Sequence, residues 1–130
     1  MSSQHSVLVI DDDPLILLTL TAYLEDSGYV VFKAADGEEG LEIFARARPD
    51  IVVTDLRMPK LDGFGVLAAV KALSPATPVI TFTGTGEHHV SNQAVDLGAW
   101  CCLYKPLADL NDLVTAIEMA LARNGNGGVQ

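Results

Sequence analysis

Hydrophobic positions along this chain fall into short dense runs separated by longer periodic stretches. The β-branched run at residues 7–10 stops abruptly at Asp11, and residues 51–54 repeat the pattern and stop at Asp55. Runs of this length, apolar on both sides, predict strands buried on both faces of a parallel sheet. Residues 29–33, 79–82 and 101–104 are further strand candidates, and each gap between runs is long enough for a crossover helix. The helices carry their own signals. Asp36 with Glu39 three residues on forms a capping box ahead of Leu41, Ile43 and Phe44, and Asp62 with Gly63 opens a helix through Leu67 and Val70. Leu110, Leu113, Val114, Ile117 and Leu121 recur at helical spacing as one apolar stripe. Residues 15–24 are apolar nearly all round, which predicts the most buried helix, while residues 87–97 have only Val90, Ala94, Val95 and Leu97 as anchors and should be the loosest.

Five strands alternating with five helices give an α/β fold with an open, doubly wound parallel sheet. Ligands in such sheets bind beyond the carboxyl ends of the strands, where the strand order reverses. Asp11, Asp12 and Asp55 all fall at such ends. Three converging carboxylates repel one another, and burying them without a cation costs several kcal/mol or raises a pKa. A hard divalent ion resolves the conflict: Mg²⁺ takes oxygen ligands in octahedral geometry and keeps several waters. Asp11 or Asp12, Asp55 and one backbone carbonyl would suffice. Asp13, directly before Pro14, reads instead as a helix cap.

The formal net charge of −9 suits a cation site and equally a general solubility charge, and it argues against a direct contact with nucleic acid or an anionic membrane surface. With 130 residues, 49% of them hydrophobic, the chain has the material for one folded domain. We assign that domain to residues 1–124, and the glycine-rich residues 125–130 to a flexible tail or the start of a linker. Adjacent Cys101 and Cys102 make a poor disulfide framework and read as buried strand residues rather than a redox pair, which fits a cytoplasmic location. No export signal or membrane span is expected. His88 and His89 read as exposed polar residues, because adjacent helix positions do not face one site.

The order of motifs resembles the response-regulator receiver family over residues 7–123. It is carried by the acidic pair Asp11 and Asp12, by Asp55 followed by Met58 and Pro59, by Thr83-Gly84 at a strand end, and by Tyr104-Lys105-Pro106. The resemblance implies a (βα)5 flavodoxin-like sheet of order 2-1-3-4-5. It implies a phosphoacceptor signalling domain rather than an enzyme, with Asp55 taking a phosphoryl group from a phosphohistidine of a sensor histidine kinase or phosphotransfer protein. Mg²⁺, or another divalent cation such as Mn²⁺, would be held by Asp11, Asp12, Asp55 and the backbone carbonyl of Arg57. Phosphoryl transfer needs positioning and charge neutralisation. Lys105, on a loop after the fifth strand, would supply an ammonium, Thr83 a hydroxyl and Gly84 an unobstructed backbone N–H. Arg57 and Thr85 would set the phosphate lifetime, Met58 and Pro59 would shape the loop, and the bond before Pro106 would be cis. The signal would leave through the α4-β5-α5 face, which could also dimerise, toward an output domain or protein such as a PP2C-type phosphatase.

One position departs from the family pattern. Receivers commonly carry an aromatic residue three before the lysine, as a switch coupled to the threonine, and here that position is Cys102. Tyr104 and Trp100 are the candidate substitutes. Rival enzymes on the same architecture find little support: Asp55-Leu56-Arg57 lacks the second aspartate that phosphatase acid–base work would want, and no G-x-G-x-x-G follows the first strand.

Overall fold

The computed structural model describes residues 4–84, 88–105 and 109–125. Five parallel strands, β1 (Ser6–Ile10), β2 (Val30–Ala34), β3 (Ile51–Asp55), β4 (Val79–Gly84) and β5 (Cys101–Lys105), form one sheet in the order β2-β1-β3-β4-β5. They alternate with helices α1 (Pro14–Asp26), α2 (Gly37–Ala47), α3 (Gly63–Leu73), α4 (His88–Asp96) and α5 (Asn111–Gly125). The chain runs from β1 outward to β2 and then returns across β1 to β3. The strand order therefore reverses between β1 and β3.

Period-2 alternation sorts the strand side chains onto two cores. Val7, Val9, Ile51, Val53, Ile80 and Phe82 pack with Leu20 and Leu24 of α1 and Leu113 and Ile117 of α5. Leu8, Ile10, Val52 and Val79 face Phe44 of α2, Val66, Leu67 and Val70 of α3, and Val90 and Ala94 of α4. Each large aliphatic side chain so buried stabilises the fold by about 1.5–3 kcal/mol, and this two-sided burial pins the central strands.

Helix starts follow the sequence closely. Asp13 caps α1, its carboxylate accepting from the Leu15 and Ile16 amides, and Asp62 caps α3 by accepting from Gly65. At α2 the Asp36 carboxylate accepts from the Glu39 amide, while Glu39 reaches back to the Ala35 amide, each at 2.8 Å. The reciprocal bond thus lands one residue before the cap.

Several expectations need correction. Helix α1 is not the most buried: Leu15 and Leu18 are 70% and 61% exposed, and only Leu20, Thr21 and Leu24 are buried. A helix lying on one face of a sheet can cover only one side of itself, so its other apolar side faces out. Likewise Val95 and Leu97 of the α4 region are exposed, leaving Val90 and Ala94 as the anchors. Strand β2 begins one residue later than expected, and β3, β4 and β5 run on to include Asp55, Gly84 and Lys105. Lys105 is accordingly the last residue of a strand rather than part of a loop. Thr85, Pro106 and residues 126–130 lie outside the described residues.

Candidate functional site

The reversal point between β1 and β3 is where the polar residues collect. Asp11 follows β1, its amide still bonded to the Ala34 carbonyl at 3.2 Å, and it is 1% exposed. Asp55 ends β3 and is 6% exposed. Lys105 ends β5, and its ammonium donates to Asp11 Oδ2 and Asp55 Oδ2, each at 3.0 Å. The other oxygens are also engaged: Asp11 Oδ1 accepts from the Asp13 amide at 2.9 Å, and Asp55 Oδ1 from the Arg57 amide at 3.3 Å. Strand β4 lies between β3 and β5, so Lys105 reaches across it; Gly84, its register neighbour, contributes no side chain there.

Asp12 stands exposed beside this pair. Carboxylate oxygens of Asp11, Asp12 and Asp55 lie within 4.8 Å of one another. Among the described residues three acids face the one Lys105 ammonium, so the cluster carries excess negative charge when ionised. Burial raises the pKa of Asp55, and the charge of Asp11 adds to the rise; the bonds and charge of Lys105 and the Arg57 amide oppose it without cancelling it. Burial alone would lower the Lys105 pKa, yet its two carboxylate partners raise it overall. A donor set of hard oxygens with excess negative charge fits a divalent cation such as Mg²⁺.

Residues 7–118 match the family model described as the response regulator receiver domain. The chain belongs to that family. The receiver is 31% identical to Sporulation initiation phosphotransferase F of Bacillus subtilis, over 94% of this chain and 98% of that protein. It is 34% identical to Transcriptional regulatory protein PdtaR of Mycobacterium tuberculosis, over 90% of this chain and 57% of the relative. The chain therefore spans little more than half of that regulator, and 26% of Transcriptional regulatory protein GlrR of Escherichia coli, to which it is 36% identical. Among solved structures, a response regulator receiver domain protein from Clostridium thermocellum superposes with a TM-score of 0.88 at 37% identity, covering 93% of this chain and 97% of the other. This receiver is thus a signalling domain of the two-component type with the expected five-stranded sheet.

Of the residues singled out in the receiver sequence, Asp11, Asp12, Asp55 and Lys105 converge. Thr83 is fully buried near the end of β4, and the Arg57 amide touches the Asp55 carboxylate. Met58 packs into the core on the α2–α4 side. Cys102 faces that same core, whereas Cys101, Leu103 and Trp100 face α1 and α5. Both cysteines are free, and burial, with Cys102 adding to it, pushes the Cys101 thiol up to about 11, which argues against redox reactivity.

Three features escaped the sequence reading. The direct bond from Lys105 to Asp11 joins residues 94 apart in sequence and has no local signal. Gly63 packs so tightly beneath the site that a Cβ there would run into the Asp55 carbonyl oxygen and the Leu56 Cα; the Asp62-Gly63 pair had signalled only a helix start. An apolar groove of about 430 Å³ runs between α1 and Lys105, lined by Leu15, Ile16, Thr19, Leu20, Phe82 and Leu110. Its signature was the surplus of leucines in α1, first read as burial.

Proposed function

We propose that Asp55 accepts a phosphoryl group from a phosphohistidine on a sensor histidine kinase or phosphotransfer protein. The observation that carries this reading is the placement of Lys105, 3.0 Å from both Asp11 and Asp55, with Asp12 alongside. An Asp55 carboxylate oxygen attacks phosphorus, the phosphorus–nitrogen bond breaks, and the electron pair stays with the imidazole. The product is an acyl phosphate on Asp55. Lys105 releases its bond to Asp55 and pairs with a phosphoryl oxygen, keeping Asp11 as its anchor. Thr83 donates its hydroxyl to a second oxygen, and the Gly84 N–H approaches a third. Asp11, Asp12, Asp55 and the Arg57 carbonyl would hold a divalent cation, Mg²⁺ or Mn²⁺, which when bound neutralises charge on the transferring group.

The groove beside Lys105 supports docking of the donor protein at α1, since exposed Leu15 lines an apolar surface that reaches Lys105. The domain assists its own phosphorylation and dephosphorylation and performs no other catalysis. A shift at Thr83 then passes to the α4-β5-α5 face, which contacts the output or a second copy; a PP2C-type phosphatase domain is our candidate output. No direct contact with nucleic acid or membrane is proposed, in keeping with the charge of −9. Among the described residues no helix is long and apolar enough to cross a membrane. The two unpaired cysteines support a cytoplasmic location for the domain.

Incubation with acetyl phosphate and Mg²⁺, followed by intact-mass measurement, tests the chemistry. Wild type should gain the mass of one phosphoryl group, and Asp55→Asn or chelator-treated protein should gain none. A modification that persists in Asp55→Asn would overturn the assignment.

A further inference from the structure

At the end of the sheet away from Asp55, the loop after α3, the turn between α4 and β5 and the last turns of α5 enclose a cleft of about 330 Å³. Trp100 lines it and lies five residues before Lys105, about 16 Å along β5 at the usual strand rise. Two cations line the cleft with the tryptophan. The Arg123 guanidinium carbon is 5.5 Å from the centre of its ring. Across the cleft the Lys71 ammonium donates to the carbonyls of Pro75 (3.2 Å) and Thr77 (2.9 Å), which leaves one of its three protons uncommitted.

The charge here runs against that of the chain as a whole, in which 17 acidic residues outnumber eight basic ones. Among the described residues no carboxylate lines the cleft. Among the described residues neither Lys71 nor Arg123 forms an ion pair. Burial lowers the Lys71 pKa, as expected of an ammonium without a counter-charge. The side chains of Lys71, Arg123 and Trp100 offer only donors, so the missing partner is an acceptor, and an anionic one. Leu73 and Leu97, each 55% exposed, lie within two residues of lining positions, so the segments bordering the cleft carry exposed apolar side chains. That border suits a polypeptide better than a free ion.

We propose that this cleft binds an acidic segment of a partner protein, with a side-chain carboxylate entering between Lys71 and Arg123 and an apolar neighbour covering Leu73 or Leu97. The site is separate from the phosphoacceptor and does not depend on its chemistry. Trp100 is the single tryptophan of the chain, so its fluorescence reads the cleft directly. The probes are an end-blocked Leu-Glu-Leu-Glu-Leu peptide, its glutamine counterpart and sodium acetate. The glutamate peptide should give a saturable change, and a charge-assisted bond predicts ~10-fold weaker binding by the glutamine peptide, by Arg123→Gln and by Lys71→Met. Asp55→Asn should bind as wild type does. No saturable change with the glutamate peptide, equal binding of both peptides, or undiminished affinity in both cleft variants would overturn the proposal. Acetate saturating the signal as tightly as the peptide would overturn its polypeptide part.

Discussion

Tyr104 stands beside Thr83 in the β4–β5 register, and Cys102 stands beside Thr81. Side chains paired this way project from the same face of the sheet, so the ring absent at position 102 has a counterpart one pleat nearer the phosphoacceptor. Trp100 is excluded as a substitute by its placement: it precedes β5 and packs on the α1–α5 side, opposite Cys102. Tyr104 is therefore expected to be the aromatic that responds to Thr83. On addition of beryllofluoride and Mg²⁺, NMR resonances of the Tyr104 ring and of α4 should shift together. Tyr104→Ala should remove the α4 shifts, and Cys102→Ala should leave them. Loss of the response in Cys102→Ala alone would reverse this assignment.

Asp55 illustrates how a site built for chemistry costs stability. Its pKa is raised, chiefly by burial, so the folded state holds the proton more tightly than the unfolded chain does. The sign follows from proton linkage: between the unfolded and folded pKa values the native state binds more protons, and stability falls as pH rises through the folded value. In metal-free buffer at pH 7, Asp55→Asn should be more stable than wild type by about 1 kcal/mol, roughly 4 °C in Tm. The difference should shrink as pH falls toward the ordinary carboxylate range. Thermal denaturation across pH 4 to 8 reads both the size and the slope, and a gap independent of pH would contradict the burial explanation.

Removing the cation should act oppositely. Lys105→Met leaves Asp11 and Asp55, both buried, without their shared ammonium. We expect a loss of about 2 kcal/mol in metal-free buffer, since stranding buried charges is costlier than deleting an exposed pair. Urea denaturation at pH 7 measures it. The loss should narrow at acidic pH, where the two acids protonate, and a constant deficit would instead point to packing by the lysine stem.

Magnesium should rescue the charge imbalance from the other side. An ion that binds only the native state at a hundred times its Kd stabilises by about 2.7 kcal/mol. Titration of Mg²⁺ should raise the wild-type Tm progressively, and Asp11→Asn or Asp55→Asn should flatten the rise. Asp12→Asn, at the exposed member of the cluster, should weaken binding while leaving metal-free stability nearly unchanged. Equal rises in all four proteins would place the ion elsewhere.

The sequence revealed the sheet because strands buried on both faces write themselves as continuous β-branched runs, and those at Val7, Ile51 and Val79 lie fully in the core. Asp55 and the Asp11–Asp12 pair were legible for the same reason: a charge directly after such a run must sit at a strand end. The depth of α1 was misread, since composition cannot say which side of an apolar helix meets the sheet. The link from Lys105 to Asp11 could not be read either, because it depends on β3 and β4 together holding β5 a fixed distance from β1. Proximity between distant strands is a property of topology, which local residue patterns do not encode.

Gly63 gives the sharpest test of how the backbone supports the site. Its amide donates to the Leu56 carbonyl at 3.1 Å, and the space where a Cβ would lie is filled by main-chain atoms of Asp55 and Leu56. Main chain cannot turn aside as a flexible side chain can. Gly63→Ala should therefore cost about 2 kcal/mol through overpacking, even after the gain of up to ~1 kcal/mol that alanine brings to a helix. Gly65→Ala is the matched control on the same helix: its Cβ would meet the tip of the Leu61 side chain, which can rotate away, so stability should stay within about 0.5 kcal/mol of wild type. Because the displaced atom in Gly63→Ala is the Asp55 carbonyl, acetyl phosphate should also label that variant more slowly than Gly65→Ala under identical conditions. Destabilisation without slower labelling would mean that α3 can shift as a body while β3 keeps Asp55 in place.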